Sequence, residues 1–413
     1  QIQFANSHMN RRSLALSILA ALFCMASCNN IPGHLFTKNS AVEKRNDSIA
    51  SLFDPKVAAQ KAIKLDTFFK TLQKKTGFNG TVLVAQYGKI IYKRAFGIAN
   101  NFTKAQLNTR TPFQLASVSK QFTAVSILQL MEQGKLKLDD RVEQHIPGFP
   151  YDSSITIRSL LTHKSGLPNY AYCLDKYYDK KSPLTNAKVV ELFNKIKPGI
   201  DYHPNRQFHY NNTNYILLAY IVERISGKGF REYVKENIFK PAGMNESFVY
   251  DPQHPELLKN SATGYQPKRS GLAVVGFDHL DGVTGDKGIY STVEDMFLWD
   301  QALNSETVVK LSSLAEAFTP QHTKPKVLTT NYGLGWRLKQ LENGEWLTYH
   351  TGWWHGFKNY YLHNQKDNSA IIILGNMANH SLAKVNIVQS ILYPEKAKYF
   401  LKGENLPAEY EAT

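Results

Sequence analysis

A chain of 413 residues, 43% hydrophobic and 20% charged, can bury one large core or two smaller ones, which excludes a disordered or low-complexity protein. The formal net charge of +15 would suit an anionic partner, yet the lysines are scattered and no zinc-finger or RNA-binding signature accompanies them, so no nucleic-acid partner is expected. Of three cysteines, Cys24 and Cys28 lie near the N-terminus and only Cys173 in the body, which excludes an intrachain disulfide framework and a Cys/His zinc set.

From Met9 the chain carries Arg11 and Arg12, an apolar run from Leu14 to Phe23, then Ala26 and Ser27 before Cys28, the layout of a secretory signal. Residues 1–8 precede that methionine and read as upstream sequence. Met25-Ala26-Ser27-Cys28 resembles a bacterial lipobox, in which the cysteine is acylated; each buried acyl methylene adds about 0.8 kcal/mol of membrane binding. The expectation is an exported, periplasmic lipoprotein held on a membrane through Cys28, with a signal over 1–27 and a polar tether over 28–54. An ordinary cleaved leader with an incidental cysteine is the alternative.

Over 55–75 the apolar positions Val57, Ile63, Phe68, Phe69 and Leu72 fit one helix face. "GTVLVAQYGKIIYKRAFG" then gives two β-branched and aromatic runs around Gly88, a hairpin signal. Helical signals follow over 119–134, 156–163, 186–195, 212–226 with Gly227 as a stop, and 230–239. Ser291-Thr-Val-Glu294 reads as a capping box opening another helix. "YGLGWRLK", "WLTYHTG", "FKNYYLH" and "SAIIILGN" read as strands, and a last helix starts at Ser381. Strands, then helices, then strands predict an α+β fold: an antiparallel β-sheet made from the first and last portions, flanked by helices, with an inserted all-helical subdomain and a cleft at the seam.

"FQLASVSKQFTAVSILQL" places Ser117 three residues before Lys120 at the start of a helix, so the two share a face, whereas Ser119 does not. A serine hydroxyl needs a base to become a nucleophile, and a lysine desolvated by the neighbouring apolar run can serve. The spacing is weak alone: Ser381-Leu-Ala-Lys384 repeats it, and a capped helix with a surface lysine reads equally well from spacing. Downstream, "FHYNNTNY" holds Tyr210-x-Asn212, a phenol that can relay a proton and an amide that can hold a carbonyl or the lysine; a core tyrosine before an N-cap asparagine is the plainer alternative. Later, His350-Thr351-Gly352 ends a strand, Gly352 lets substrate lie close, and the N–H of Trp353 can pair with that of Ser117 as an oxyanion hole.

Ser-x-x-Lys, Tyr-x-Asn and a His-x-Gly triplet in this order resemble the serine β-lactamase and penicillin-binding-protein superfamily, most closely its class C-type and esterase-like branch. "LLTHKSGLPNY", "KPAGMNES" and "GIYSTVEDMFLWDQAL" look like that branch too, and the resemblance runs over about residues 75 to 377. It implies a catalytic domain over 55–395, with a sheet part (55–112 and 286–395), a helical part (113–285) and a tail over 396–413. It also implies that Ser117 is the acylated nucleophile, that Lys120 and Tyr210 share acid/base duty, and that Asn212, His350, Thr351 and Gly352 bind substrate. Lys164-Ser165-Gly166 also matches the triplet literally, but it precedes Tyr210 and sits in a Gly-Pro turn, so His350 is preferred.

Where relatives of this superfamily carry lysine, His350 is mostly neutral at pH 7, which biases the site toward esters or amides lacking a carboxylate. Trp353, Trp354 and His355 either line the acyl or leaving-group pocket or simply pack. His163, His203 and His209 have no metal spacing, and no Gly-rich phosphate loop follows a strand, so no metal and no cofactor are expected. The expected activity is that of an exported serine hydrolase acting on a small-molecule or peptide ester or amide. A D-Ala-D-Ala carboxypeptidase or β-lactamase at the cell wall, and a non-catalytic wall-binding or sensor protein, are the alternatives.

Overall fold

The structure is a computed structural model that describes residues 40–151, 153–321 and 330–400. The signal, Cys28, the first part of the tether and the tail beyond Phe400 lie outside the described residues. The chain's first strands, β1 (Gly80–Gln86) and β2 (Lys89–Phe96), join the late strands β3 (Thr330–Tyr332), β4 (Arg337–Gln340), β5 (Trp346–Trp354), β6 (Phe357–Asn364) and β7 (Ser369–Gly375). They make one seven-stranded antiparallel sheet in the order β3-β4-β5-β6-β7-β1-β2, with Gly80 opposite Gly375 and Ala85 opposite Ala370. The hairpin turn is Tyr87-Gly88, both with positive φ (55° and 72°), the conformation a two-residue turn between twisted strands requires.

The sheet is covered on both faces, and the side-chain period of two divides its strands between two cores. Val82, Val84, Ile371 and Ile373 pack into one core with Leu65, Phe69 and Leu72 of the helix Pro55–Thr76 and with Val388 and Leu392. Leu83, Ala85, Ile372 and Leu374 point the other way, into the larger core shared with the helices Lys120–Glu132, Asn212–Ser226 and Val293–Asn304. This is why "GTVLVAQ" and "SAIIILG" read as nearly unbroken apolar runs: both alternating faces are buried.

Several expectations shift. The tether read through residue 54 contains a helix, Ser40–Ala50, that buries Val42 and Ile49 and holds Asn304 O through Asn46 Nδ2 at 3.0 Å. Its two apolar contacts lie a double turn apart, too sparse for a periodic signal. In the helix Pro55–Thr76 the buried stripe is Leu65, Phe69 and Leu72, while Val57 and Ile63 are exposed. The capping residue of Val293–Asn304 is Thr292, which accepts from Asp295 N at 3.0 Å, because Ser291 is spent in a short strand, Ile289–Ser291, paired with Phe113–Gln114. That ladder, the pair Tyr265–Lys268 with Gly271–Val274, and Phe248–Val249 put short strands beside the helices of the 113–285 region. The tail read from 396 begins as packed structure: Phe400 is buried in the second core, and Lys396 pairs with Glu345 at 2.7 Å.

Candidate active site

Between the sheet and the helical part lies a cleft lined by Ser117, Tyr210, Asn212, Asp286, Lys287 and Arg337, with Ala116, Thr351, Trp353 and Trp354 completing it. Ser117 stands on a 3-10 turn, Ala116–Ser119, that leads directly into Lys120–Glu132. Ala116 holds a left-handed φ of 50°, a conformation costly for a residue with a Cβ, in the position just before Ser117. Gly352 of β5 lies against this turn; a Cβ there would meet Leu115 O at 2.2 Å, so only glycine lets the strand come so close. Beyond Tyr349, which pairs with Arg337, the ladder to β4 ends while β5 runs on to Trp354, and this extension faces the turn and the cleft.

Lys120 is fully buried, and its Nζ donates to Ser117 Oγ (3.1 Å), Asn212 Oδ1 (2.8 Å) and the Asp286 carbonyl (2.9 Å). The ammonium's three N–H bonds therefore have three acceptors, as a charge taken out of water needs. Asn212 is free for this because Asn211, not Asn212, caps the helix, its side chain accepting from Thr213 N at 2.9 Å. Ser119 faces elsewhere and accepts from Ile289 N. Two cations lie close to the Tyr210 ring, Lys120 Nζ at 5.0 Å and Arg337 Cζ at 4.8 Å from its centroid, and its buried hydroxyl has no hydrogen-bond partner among the described residues. Ser117, Lys120, Tyr210 and Asn212 are thus brought together.

His350 is not on the cleft wall. It lies on the face of β5 that meets the helical core, the face of its cross-strand neighbour Tyr361, and is fully buried there, its ring centroid 6.4 Å from that of Tyr210. Its Nδ1–H donates to Thr351 O at 2.6 Å, and its Nε2 accepts from the Tyr332 hydroxyl at 3.1 Å. Burial, reinforced by Arg337 and Lys120, holds its pKa well below the usual histidine value, so it is neutral. The substrate-binding place read for its side chain is corrected: its ring braces β5 against Tyr332.

The cation that sequence reasoning missed on the sheet side is Arg337, at the start of β4. Hairpin register places it: antiparallel pairing sets the first residue of "RLK" opposite Tyr349. Asp286 and Lys287 are a second omission. Lys287 Nζ donates to Tyr170 Oη (2.7 Å) and Asp286 Oδ2 (3.2 Å) and lies 4.8 Å over the Trp354 ring. Trp354 Nε1 and His355 Nε2 both reach Asp281, at 3.0 and 2.9 Å, so one carboxylate anchors the Trp354-His355 corner. Asp278, Asp281 and His355 bring ligand-type atoms within 4.8 Å of one another, but Asp278 caps Leu280 N and Asp281 is engaged as described, so this cluster reads as a brace. The triplet Lys164-Ser165-Gly166 lies in a turn, with Gly166 at φ 75° and Ser165 Oγ donating to Asn214 Oδ1, away from the cleft lining.

A buried lysine pointed at a part-exposed serine beside a phenol, at the seam of a sheet and a helical part, suits acyl transfer to serine. Comparison with known proteins agrees. The family model described as Beta-lactamase matches residues 65–387. Penicillin-binding protein 4* of Bacillus subtilis is 37% identical over 323 residues, covering 76% of this chain and 71% of that protein. N-acetylmuramyl-L-alanine amidase of the same organism is 28% identical over 333 residues, covering 67% and 73%. The solved structure of the octameric penicillin-binding protein homologue from Pyrococcus abyssi superposes with a TM-score of 0.71 at 27% identity, over 84% of this chain and 79% of that one. With fold, site and relatives in agreement, this chain belongs to the Beta-lactamase family of serine hydrolases, whose members act on amide or ester bonds.

Proposed function

We propose that this chain opens an amide or ester bond through an acyl-enzyme on Ser117. The observation that carries the reading is the bonding of Lys120. A neutral amine has two N–H bonds and one lone pair; Asn212 Oδ1 and the Asp286 carbonyl occupy two bonds, so an amine that has given up one proton turns its lone pair to Ser117 Oγ. As Oγ bonds to the substrate carbonyl carbon, the Ser117 proton passes to the Lys120–Tyr210 pair. The carbonyl oxygen becomes an anion held by the backbone N–H groups of Ser117 and Trp353, each such donor contributing about 2.7–4 kcal/mol in the transition state. Collapse breaks the bond to the leaving amine or alcohol, which takes the proton back; water then follows the reverse course. Lys120 and Arg337, both close to the Tyr210 ring, stabilise negative charge that develops on its oxygen.

One observation favours the second substrate reading. His350 is neutral, but Arg337 puts a permanent guanidinium on the cleft wall, so a substrate carboxylate, as at a D-Ala-D-Ala terminus or on a β-lactam, has a cation to meet. Similarity to penicillin-binding protein 4* supports the same class. Export and acylation of Cys28 belong to this proposal, supported by the layout from Met9 to Cys28, and would bring the enzyme to wall substrates. The test is a panel of a neutral nitrophenyl ester, a D-Ala-D-Ala peptide and a chromogenic cephalosporin, with Ser117→Ala as blank. Turnover of the carboxylate-bearing substrates, lost in the blank, is expected. Turnover of the neutral ester alone would return the site to carboxylate-free substrates, and no acylation by any of the three would leave a binding or sensory protein.

A further inference from the structure

We propose that His163 is the positioning residue for Tyr210, fixing it from both sides of its backbone and by contact with its ring. The Tyr210 hydroxyl has no hydrogen-bond partner among the described residues, so the phenol's place is set by what holds its backbone and its ring. His163 does both. The N–H of His209 donates to the His163 carbonyl at 2.9 Å, and the N–H of Asn211 donates to His163 Nδ1 at 3.1 Å. The residues before and after Tyr210 are therefore tied to one histidine. Its imidazole also lies against the Tyr210 ring, 4.3 Å between centroids.

Because Nδ1 accepts a backbone N–H, the ring proton resides on Nε2 and the imidazole must stay neutral. Burial, with Lys120 and Arg337 nearby, holds its pKa well below the usual value and keeps Nδ1 able to accept. His163 is fully buried behind the cleft lining, so it acts through Tyr210 and not on substrate. Its own φ of 55° is left-handed, an unfavourable state for a residue with a Cβ, held here where the ring must be aimed at residues 209–211. Asn211 carries the order onward: its side chain caps the helix that begins at Asn212, the partner of Lys120. A reacting group displaced by 1 Å loses about 10²-fold in rate, so a residue that touches no substrate can govern turnover through such a clamp.

The inference rests on Tyr210 sharing the acid/base work, and the experiment separates the two. His163→Asn offers an amide oxygen where Nδ1 stood and tolerates positive φ; His163→Gln moves that oxygen one bond away; His163→Leu removes it. With a nitrophenyl ester as probe, H163L and H163Q should lose on the order of 10²-fold in kcat with KM nearly unchanged, while H163N keeps most of the activity. In a cycle with Tyr210→Phe, the H163Q loss should largely vanish, because a phenol that is gone cannot be misplaced. If H163L does not fold, the Asn and Gln pair decides. Equal activity of H163N and H163Q, or losses from H163Q and Y210F that simply multiply, would overturn the inference alone. Full turnover by Y210F would remove the acid/base reading and the inference with it.

Discussion

Ser117-Val-Ser-Lys120 and Ser381-Leu-Ala-Lys384 share one spacing and one local shape, a 3-10 turn running into a helix. Their surroundings differ. Lys120 is fully buried with three acceptors, one of them Ser117. Lys384 is exposed, and Ser381 is buried on the far core, its hydroxyl donating to Asn379 Oδ1 at 2.6 Å and sharing a 2.9 Å contact with Thr76. Four residues of sequence place a serine and a lysine on one face; distant residues decide whether the lysine is a reactive group or a solvated one. At the first site those residues are Asn212 and Asp286, brought in by a second helix and by the loop before Ile289–Ser291.

The two pairs should differ most at their serines. On the proposed reading Ser117→Ala removes turnover by about 10⁴-fold or more, as loss of a nucleophile does elsewhere, and Ser381→Ala leaves kcat unchanged; steady-state assays on the two purified variants check this. The lysines extend it to stability. Lys120→Met should be inactive and should also lose about 1–3 kcal/mol in urea unfolding, because Asn212 Oδ1 and the Asp286 carbonyl lose their donor in a buried place. Lys384→Met should leave both quantities as they were. Arg337→Gln sharpens the substrate reading: KM for a carboxylate-bearing substrate should rise about 10-fold or more, with a neutral ester much less affected, since one charge-assisted contact is worth about 1.5–3 kcal/mol.

The smallest effect is one of pH. His163 and His350 both have folded-state pKa values held well below the usual 6.5, burial being the main cause. Between the folded and unfolded values the unfolded chain binds the extra protons. Their contribution to stability is therefore full above about pH 6.5 and is lost as the pH falls below it, by up to about 1.4 kcal/mol per pH unit for each histidine. Urea midpoints measured from pH 8 to pH 5 should fall on acidification, and His163→Asn should flatten that slope.

What the sequence disclosed follows the same division between local and distant causes. β1 and β7 were legible because both of their faces are buried and nearly all of their residues are apolar, and the helix Asn212–Ser226 because Gly227, at φ 70°, stops it where expected. Ser40–Ala50 was not, since only Val42 and Ile49 are buried and the rest of its surface is polar. In the site, Ser117, Lys120, Tyr210 and Asn212 could be found by spacing and order. His350 could be found as a strand residue, but its burial and its bond to the Tyr332 hydroxyl depend on a neighbouring strand that a triplet does not state. Arg337 reaches the cleft through pairing with the neighbouring strand, and His163 reaches Tyr210 through hydrogen bonds to residues 209 and 211, contacts that leave no local pattern.

On the proposed reading, burial and three acceptors, not spacing, make one of two matching serine–lysine pairs reactive. Labelling the protein with a covalent serine-hydrolase probe and mapping the modified peptide by mass spectrometry tests it most directly. Modification is expected on the peptide carrying Ser117, abolished in Ser117→Ala, with the Ser381 peptide unmodified. Labelling that persists in Ser117→Ala, or that falls on Ser381, would contradict it.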